Sequence, residues 1–137
     1  MAVNLNPYLS FRDNAREAME FYRSVFGGRL EQHRFKEFQA SGDPSEDDKI
    51  MHASLQVDNG IMFMAADTPK DMPYTPGSAI SMSLSGDDEA ELTGYFEKLS
   101  EGGTVTMPLG DAPWGDKFGM VTDRFGIEWM VNISGRS

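Results

Sequence analysis

The strongest restriction on how this chain can fold is that it spells one pattern twice. A helix-length segment opened by acids or amides and closed by paired glycines occurs as DNAREAMEFYRSVFGG at 13–28 and as DDEAELTGYFEKLSEGG at 87–103. Each is preceded by a short alternating run and followed by strand-like runs that end in a glycine turn, DNGIMFMA in the first half and DRFGIEWMV in the second. Gly60 therefore answers to Gly126, Phe63 to Trp129 and Met64 to Met130, while Asp13 answers to Asp88 and Asn6 to Ser81. Both halves read strand, helix, strand, strand, strand. A repeat of this kind predicts two similar supersecondary units.

The elements follow from periodicity and punctuation. NLNPYLSF alternates as a strand with Leu5, Leu9 and Phe11 on related sides, and Asp13 or Asn14 is placed to cap the helix after it. Within that helix Ala15, Ala18, Met19, Tyr22, Val25 and Phe26 form one apolar stripe, and Gly27 and Gly28 supply the stop. RLEQHRFKEF reads as a strand and ASGDPSEDD as an exposed loop without chemistry. IMHASLQV and IMFMAAD form a hairpin about Asp58, Asn59 and Gly60. TPKDMPYTPGS is a linker, after which AISMSLS, the second helix, TVTMPL and the hairpin of 114–132 repeat the order. The expected boundaries are 1–67 for the first unit, 68–77 for the linker and 78–137 for the second, within one domain.

Charge and composition narrow the chemistry. Twenty-two acidic against twelve basic residues give a formal charge of −10, which repels phosphate backbones and argues against a nucleic-acid partner. No apolar run approaches the roughly 20 residues of a membrane-spanning helix, and MAVNLNPYLSF lacks the regions of a signal peptide, so a cytoplasmic protein without a membrane partner is expected. Without cysteine there is no disulfide, thiolate site or thiol nucleophile. Only His33, His52 and the carboxylates remain as strong ligands. No nucleophile-elbow sequence surrounds any serine.

The segments YLSFRDNAREAMEFYRSVFGG, IMHASL and WGDKFGMVTDRFGIEWMVN together resemble the PhnB-like branch of the glyoxalase/bleomycin-resistance/dioxygenase superfamily, the vicinal oxygen chelate fold. The resemblance covers almost the whole chain. It implies an α+β fold in which two βαβββ modules form a cup-shaped mixed sheet with helices outside, and a homodimer, because related folds commonly extend or swap modules across two chains. Members of this branch also carry a demethylubiquinone methyltransferase description, but no glycine-rich strand-to-helix turn for a methyl-donor nucleotide is present, so that activity is not adopted. The metal ligands of the superfamily, mapped by the resemblance, fall on Asn6, Met64, Ser81 and Met130. Thioethers prefer soft metals and neutral amides or hydroxyls bind weakly alone, so neither the usual metal centre nor any cofactor is expected.

Strand alternation then sorts the faces. Met62, Met64, Glu128, Met130 and Asn132 should point into the cup with Asn6, Tyr8, Ser10, Ser81 and Ser83, while Phe63, Trp129 and Val131 point to the helices. On IMHASL, Met51, Ala53 and Leu55 suit the helix side, which leaves His52 and Ser54 inside. The expected ligand-binding set is Asn6, Tyr8, Met64, Ser81, Trp114, Phe118 and Met130. Methionines there make an adaptable lining. His52 with Glu128 is the candidate catalytic pair, able to exchange protons or hold one atypical metal ion. The function expected is binding of a small organic molecule without the usual metal; the alternative is a lyase or dioxygenase-like enzyme using His52 and Glu128. A module that only makes protein contacts is a third possibility. Simple core filling by the methionines and a pocket-shaping His52 are the structural alternatives. The Arg12 and Arg16 pair reads as a solvated helix face, with attraction of an anion as the alternative, and Asp123 as a residue fixing its turn.

Overall fold

A computed structural model describes residues 3–38 and 43–134 of the chain. It divides into two compact units, Met1–Pro76 and Gly77–Ser137. The expected linker at 68–77 thus falls almost entirely within the first unit, held there by Arg12. That guanidinium donates to the carbonyl of Pro69 at 3.2 Å and to the carbonyl of Met72, and lies 5.3 Å from the centre of the Tyr74 ring. Arg16 likewise donates to the Asp48 carbonyl at 2.9 Å. Both arginines therefore pin loops to the start of the first helix.

In the first unit β1 (Tyr8–Phe11) leads to α1 (Ala15–Phe26), β2 (Arg29–Arg34), β3 (Ile50–Gln56) and β4 (Met62–Asp67). The sheet order is β1-β4-β3-β2, with β1 parallel to β4 and the other pairs antiparallel. In the second unit β5 (Met82–Gly86), α2 (Glu89–Ser100), β6 (Thr104–Asp111), β7 (Lys117–Thr122) and β8 (Glu128–Ile133) give the same order, β5-β8-β7-β6. Each unit is a βαβββ module with a four-stranded mixed sheet, as the repeat predicts.

The core lies between each helix and one face of its sheet. All six residues of the α1 stripe are buried, and Tyr22 and Phe26 meet Phe63 edge-on at 5.5 and 6.2 Å. In the second module Leu92, Tyr95, Phe96 and Leu99 of α2 are buried with Val121, Trp129, Val131 and Ile133 of the sheet. Trp129 is 2% exposed, consistent with its strand parity, and a ring of that size stabilises the fold by about 2–3 kcal/mol on burial.

Four local readings are corrected. β1 begins only at Tyr8, so Asn6 precedes the strand, and Leu5 is 99% exposed rather than paired with Leu9. Pro7 has no N–H for a ladder; its carbonyl accepts from Met64 N at 3.1 Å and pairing starts after it. RLEQHRFKEF is a strand only to Arg34, after which Phe35–Phe38 form a 3-10 turn whose Phe35 enters the core. The β2–β3 register shifts between His33, opposite His52, and Arg34, opposite Ile50, so Met51 is the extra residue of a bulge. That bulge puts Ile50, 1% exposed, on the helix side in place of Met51.

The fourth correction concerns the helix cap. Asn14 makes no side-chain cap bond to α1, and Asp13 pairs with Lys49 Nζ at 2.6 Å. The carboxylate that accepts from the first helical N–H comes from β4: Asp67 Oδ1 takes Ala15 N at 3.0 Å and Oδ2 takes Ile50 N at 2.9 Å. In the second module Asp88 caps α2 as expected, accepting from Glu91 N at 3.0 Å. Asp123, 3% exposed, closes the last turn by accepting from Phe125 N at 2.8 Å, Ile127 N at 3.1 Å and Trp129 Nε1 at 2.8 Å.

Both modules also need a glycine where the helix returns to the sheet. A Cβ on Gly28 would stand 2.4 Å from the Gln56 carbonyl oxygen, and one on Gly103 would stand 2.3 Å from that of Thr122. Gly28 additionally has φ +89, a left-handed conformation costly for other residues.

The loop at 43–49 is more structured than its composition suggests. Glu46 is 5% exposed, accepts from Lys70 N at 2.7 Å and pairs with Lys49, while Asp43 accepts from Ser45 N at 2.9 Å and pairs with Lys70. Its bond from Lys49, and then that from the Lys70 backbone, hold the Glu46 carboxyl below its ordinary value.

These contacts generate two predictions. Replacing Asp67 by Asn strands a buried N–H against an amide NH2 and should cost about 1–3 kcal/mol in urea denaturation, whereas Asp13→Ala should cost no more than about 0.5 kcal/mol. Equal losses would remove the assignment of the cap to Asp67. Because the folded Glu46 value is depressed, its contribution is present above about 4.5 and disappears as the pH falls through the lower folded value. Glu46→Gln should therefore lower the urea midpoint at neutral pH, and its difference from the wild type should close as the pH is taken below 4.5.

Candidate functional site

The sheet face opposite α1 is where the first module can meet a ligand. Alternation places Tyr8 and Ser10 of β1, Met62 and Met64 of β4, and His52, Ser54 and Gln56 of β3 on it. Register sets Tyr8 against Met64 and Met64 against Ser54, while Met62 faces Gln56 and Gln56 faces Arg29. Tyr8 Oη lies 3.1 Å from His52 Nδ1, with ring centres 5.8 Å apart. The His52 tautomer decides which of the two donates. Burial pushes the Tyr8 phenol up from its ordinary value, so it remains a neutral hydroxyl near neutral pH. A second polar pair sits at the end of this face, where Arg29 Nη2 donates to Gln56 Oε1 at 2.8 Å.

The second module presents a different chemistry on the equivalent face. Met130 stands between Ser83 of β5 and Met120 of β7, and Met120 is registered with Met107 of β6, so three thioether residues cross three neighbouring strands. Phe118 is opposite Asn132, and Trp114 packs edge-on to Phe118 at 5.4 Å. Trp114 is 59% exposed yet fixed, because its Nε1 donates to Asn132 Oδ1 at 3.1 Å while Asn132 Nδ2 donates to Asp116 Oδ2 at 3.0 Å. Ser81, just ahead of β5, donates to Glu128 Oε1 at 3.4 Å.

The expected residues are thus distributed by module. Tyr8, His52 and Met64 share one face, with Asn6 just outside the strand; Ser81, Glu128, Met130, Phe118 and Trp114 belong to the other module. His52 is partnered by Tyr8 and Glu128 by Ser81, each from its own module. Sequence reasoning gave no role to Asn132, Asp116 or Arg29. Alternation pointed Asn132 to the correct face, but its grip on Trp114 depends on the loop geometry of 112–116. There Ala112 N bonds the Asp116 carbonyl at 2.8 Å and Gly115 adopts φ +98.

The residues at the superfamily's metal positions do not fit that metal. Asn6, Met64, Ser81 and Met130 supply no imidazole or carboxylate, and no group of three or more His, Cys, Asp or Glu side chains able to hold a metal ion occurs among the described residues.

Comparison with known proteins places the chain among relatives. The family model described as 3-demethylubiquinone-9 3-methyltransferase matches residues 3–132. The turns entering the helices are Arg12-Asp13-Asn14 and Asp87-Asp88, neither of which is the glycine-rich turn that cradles a methyl-donor nucleotide. The crystal structure of protein PA1353 from Pseudomonas aeruginosa is 43% identical with TM-score 0.82, over 97% of this chain and 98% of that one. A PhnB protein from Bacillus cereus is 27% identical with TM-score 0.77, over 96% and 100%. A glyoxylase/bleomycin resistance protein/dioxygenase domain from Frankia, 16% identical with TM-score 0.67 over 100% and 95%, shares the fold. The chain belongs to the family of that matching model, the PhnB-like family, and shares its fold with the glyoxylase/bleomycin resistance protein/dioxygenase domain.

Proposed function

We propose that this protein binds a small organic molecule on the sheet faces turned away from its helices, without the superfamily's usual metal centre. The observation that carries the reading is the make-up of those faces. Thioethers that repack around varied shapes, Met62 and Met64 in one module and Met120 and Met130 in the other, lie beside polar or aromatic groups whose orientation is already fixed. Adaptable apolar side chains beside a few positioned polar groups are a combination that small-molecule sites use. Tyr8 with His52 supplies hydrogen bonding, and Trp114 against Phe118 supplies a flat wall. Asn6 and Ser81 border these faces. In the same reading the protein is a cytoplasmic homodimer, and a solution mass equal to one chain would remove the dimer.

Melting of chelator-treated protein against a library of small organic compounds tests the binding. A ligand at 100 times its Kd stabilises the fold by about 2.7 kcal/mol, a shift that Met64→Ala, Met130→Ala or Trp114→Ala should reduce. A library without any stabilising member would sink the proposal. Metal analysis of the untreated protein should give no stoichiometric metal. Metal present at one equivalent and lost on His52→Ala would replace this reading with a metal-dependent lyase or dioxygenase using His52 and Glu128.

A further inference from the structure

The two modules can be compared position by position, and one row differs in charge. In the first module the row nearest the β3–β4 turn runs Arg29, Gln56, Met62; in the second its counterpart runs Thr104, Thr122, Glu128. The first of these rows lines a cavity of about 500 Å3, whose walls include Gly28, Arg29, Gln56, Ile61 and Met62. The glycine is part of the construction: its bare Cα lets the chain leaving α1 lie against Gln56 and Val57, where a Cβ would collide with both.

Two polar side chains of this cavity, Arg29 and Gln56, offer donors. Arg29 gives one N–H to Gln56 Oε1 at 2.8 Å, and no carboxylate pairs with it among the described residues. That bond uses the acceptor end of the Gln56 amide, whose NH2 is a further donor. Met62 and Ile61 supply apolar wall beside them. Asp58 also lines the cavity, but from the turn, outside the Arg29–Gln56–Met62 row, so the positive end of the cavity is the β2 side. In a chain of net charge −10, an arginine with no acidic partner in a concave site is a selective feature.

We propose that this cavity is the anchor for the acidic end of a small organic carboxylate. The Arg29 guanidinium and the Gln56 amide take its oxygens, and its hydrocarbon body runs along Ile61 and Met62 toward Met64. The guanidinium matches a carboxylate with two parallel N–H bonds, which a neutral amide ligand cannot reproduce. The second module, with Thr104 and Glu128 at the same positions, repels such a group, so the anion has one site per chain. This assignment rests on the organic-molecule reading above and adds the ligand's charge and the end at which it is held.

Benzoate and its neutral analogue benzamide test it, titrated into the isotopically labelled full chain and followed by amide NMR shifts. Saturating benzoate shifts should centre on Arg29, Gln56, Ile61 and Met62, with none at Thr104 or Thr122. Arg29→Gln should weaken benzoate binding by roughly tenfold or more, and Arg29→Lys by less. Arg29 is exposed, and an otherwise unchanged spectrum of each variant shows that it folds. Equal binding of benzamide, or benzoate binding unchanged in Arg29→Gln, would overturn the anionic anchor and leave the organic-molecule reading standing. Absence of saturable benzoate shifts in the wild type overturns the anchor as well.

Discussion

The first module depends on a carboxylate that has no cationic partner among the described residues. Asp67 is 4% exposed, and its two oxygens are spent on two backbone N–H groups, one at the start of α1 and one at the start of β3. A buried unpaired charge is costly, and so is a buried orphan N–H; joining them removes both penalties and locks three elements together. The second module meets the same requirement elsewhere. Its residue equivalent to Asp67 is Ile133, α2 is capped locally by Asp88, and the buried carboxylate is Asp123, spent on the last turn and on Trp129. The two modules keep the backbone and move the acid.

Anchoring on the helix side leaves the opposite face free to change. Phe63 and Trp129 hold equivalent core positions, while residues on the face away from the helix differ: His52 in one module answers to Phe118 in the other, and Ser54 to Met120. Conservative packing inside and divergent chemistry outside are what two linked copies permit, since the core of each copy is satisfied by its own helix.

Much of this was legible in the sequence because alternation and helical periodicity are local. The α1 stripe, the outward set of Met62, Met64, Glu128 and Met130, and the buried Trp129 follow directly from spacing. What escaped depends on distant partners. The cap of α1 lies 52 residues from Ala15, so no reading of DNAREA could find it. The Met51 bulge is a property of the pairing between β2 and β3, and strict alternation through it put the wrong residue in the core. The Tyr8–His52 and Arg29–Gln56 contacts likewise exist only once strand register is set. The start of β1 was the exception: Pro7 was visible, and its missing N–H should have shortened the strand.

β6 shows how an exposed sheet margin is kept from becoming a liability. It is the edge of its sheet, and Val105 and Met107 on it are 43% and 46% exposed. A long apolar edge of this kind is a template for open-ended stacking of further chains. Here the template is spoiled: Pro108 withholds one amide, and the ladder to β7 is irregular between Val105 and Met107 and again between Met107 and Gly110. An incoming strand would find no uninterrupted row of donors and acceptors to copy, so the geometry that bends this strand also defends the protein against fibrous aggregation.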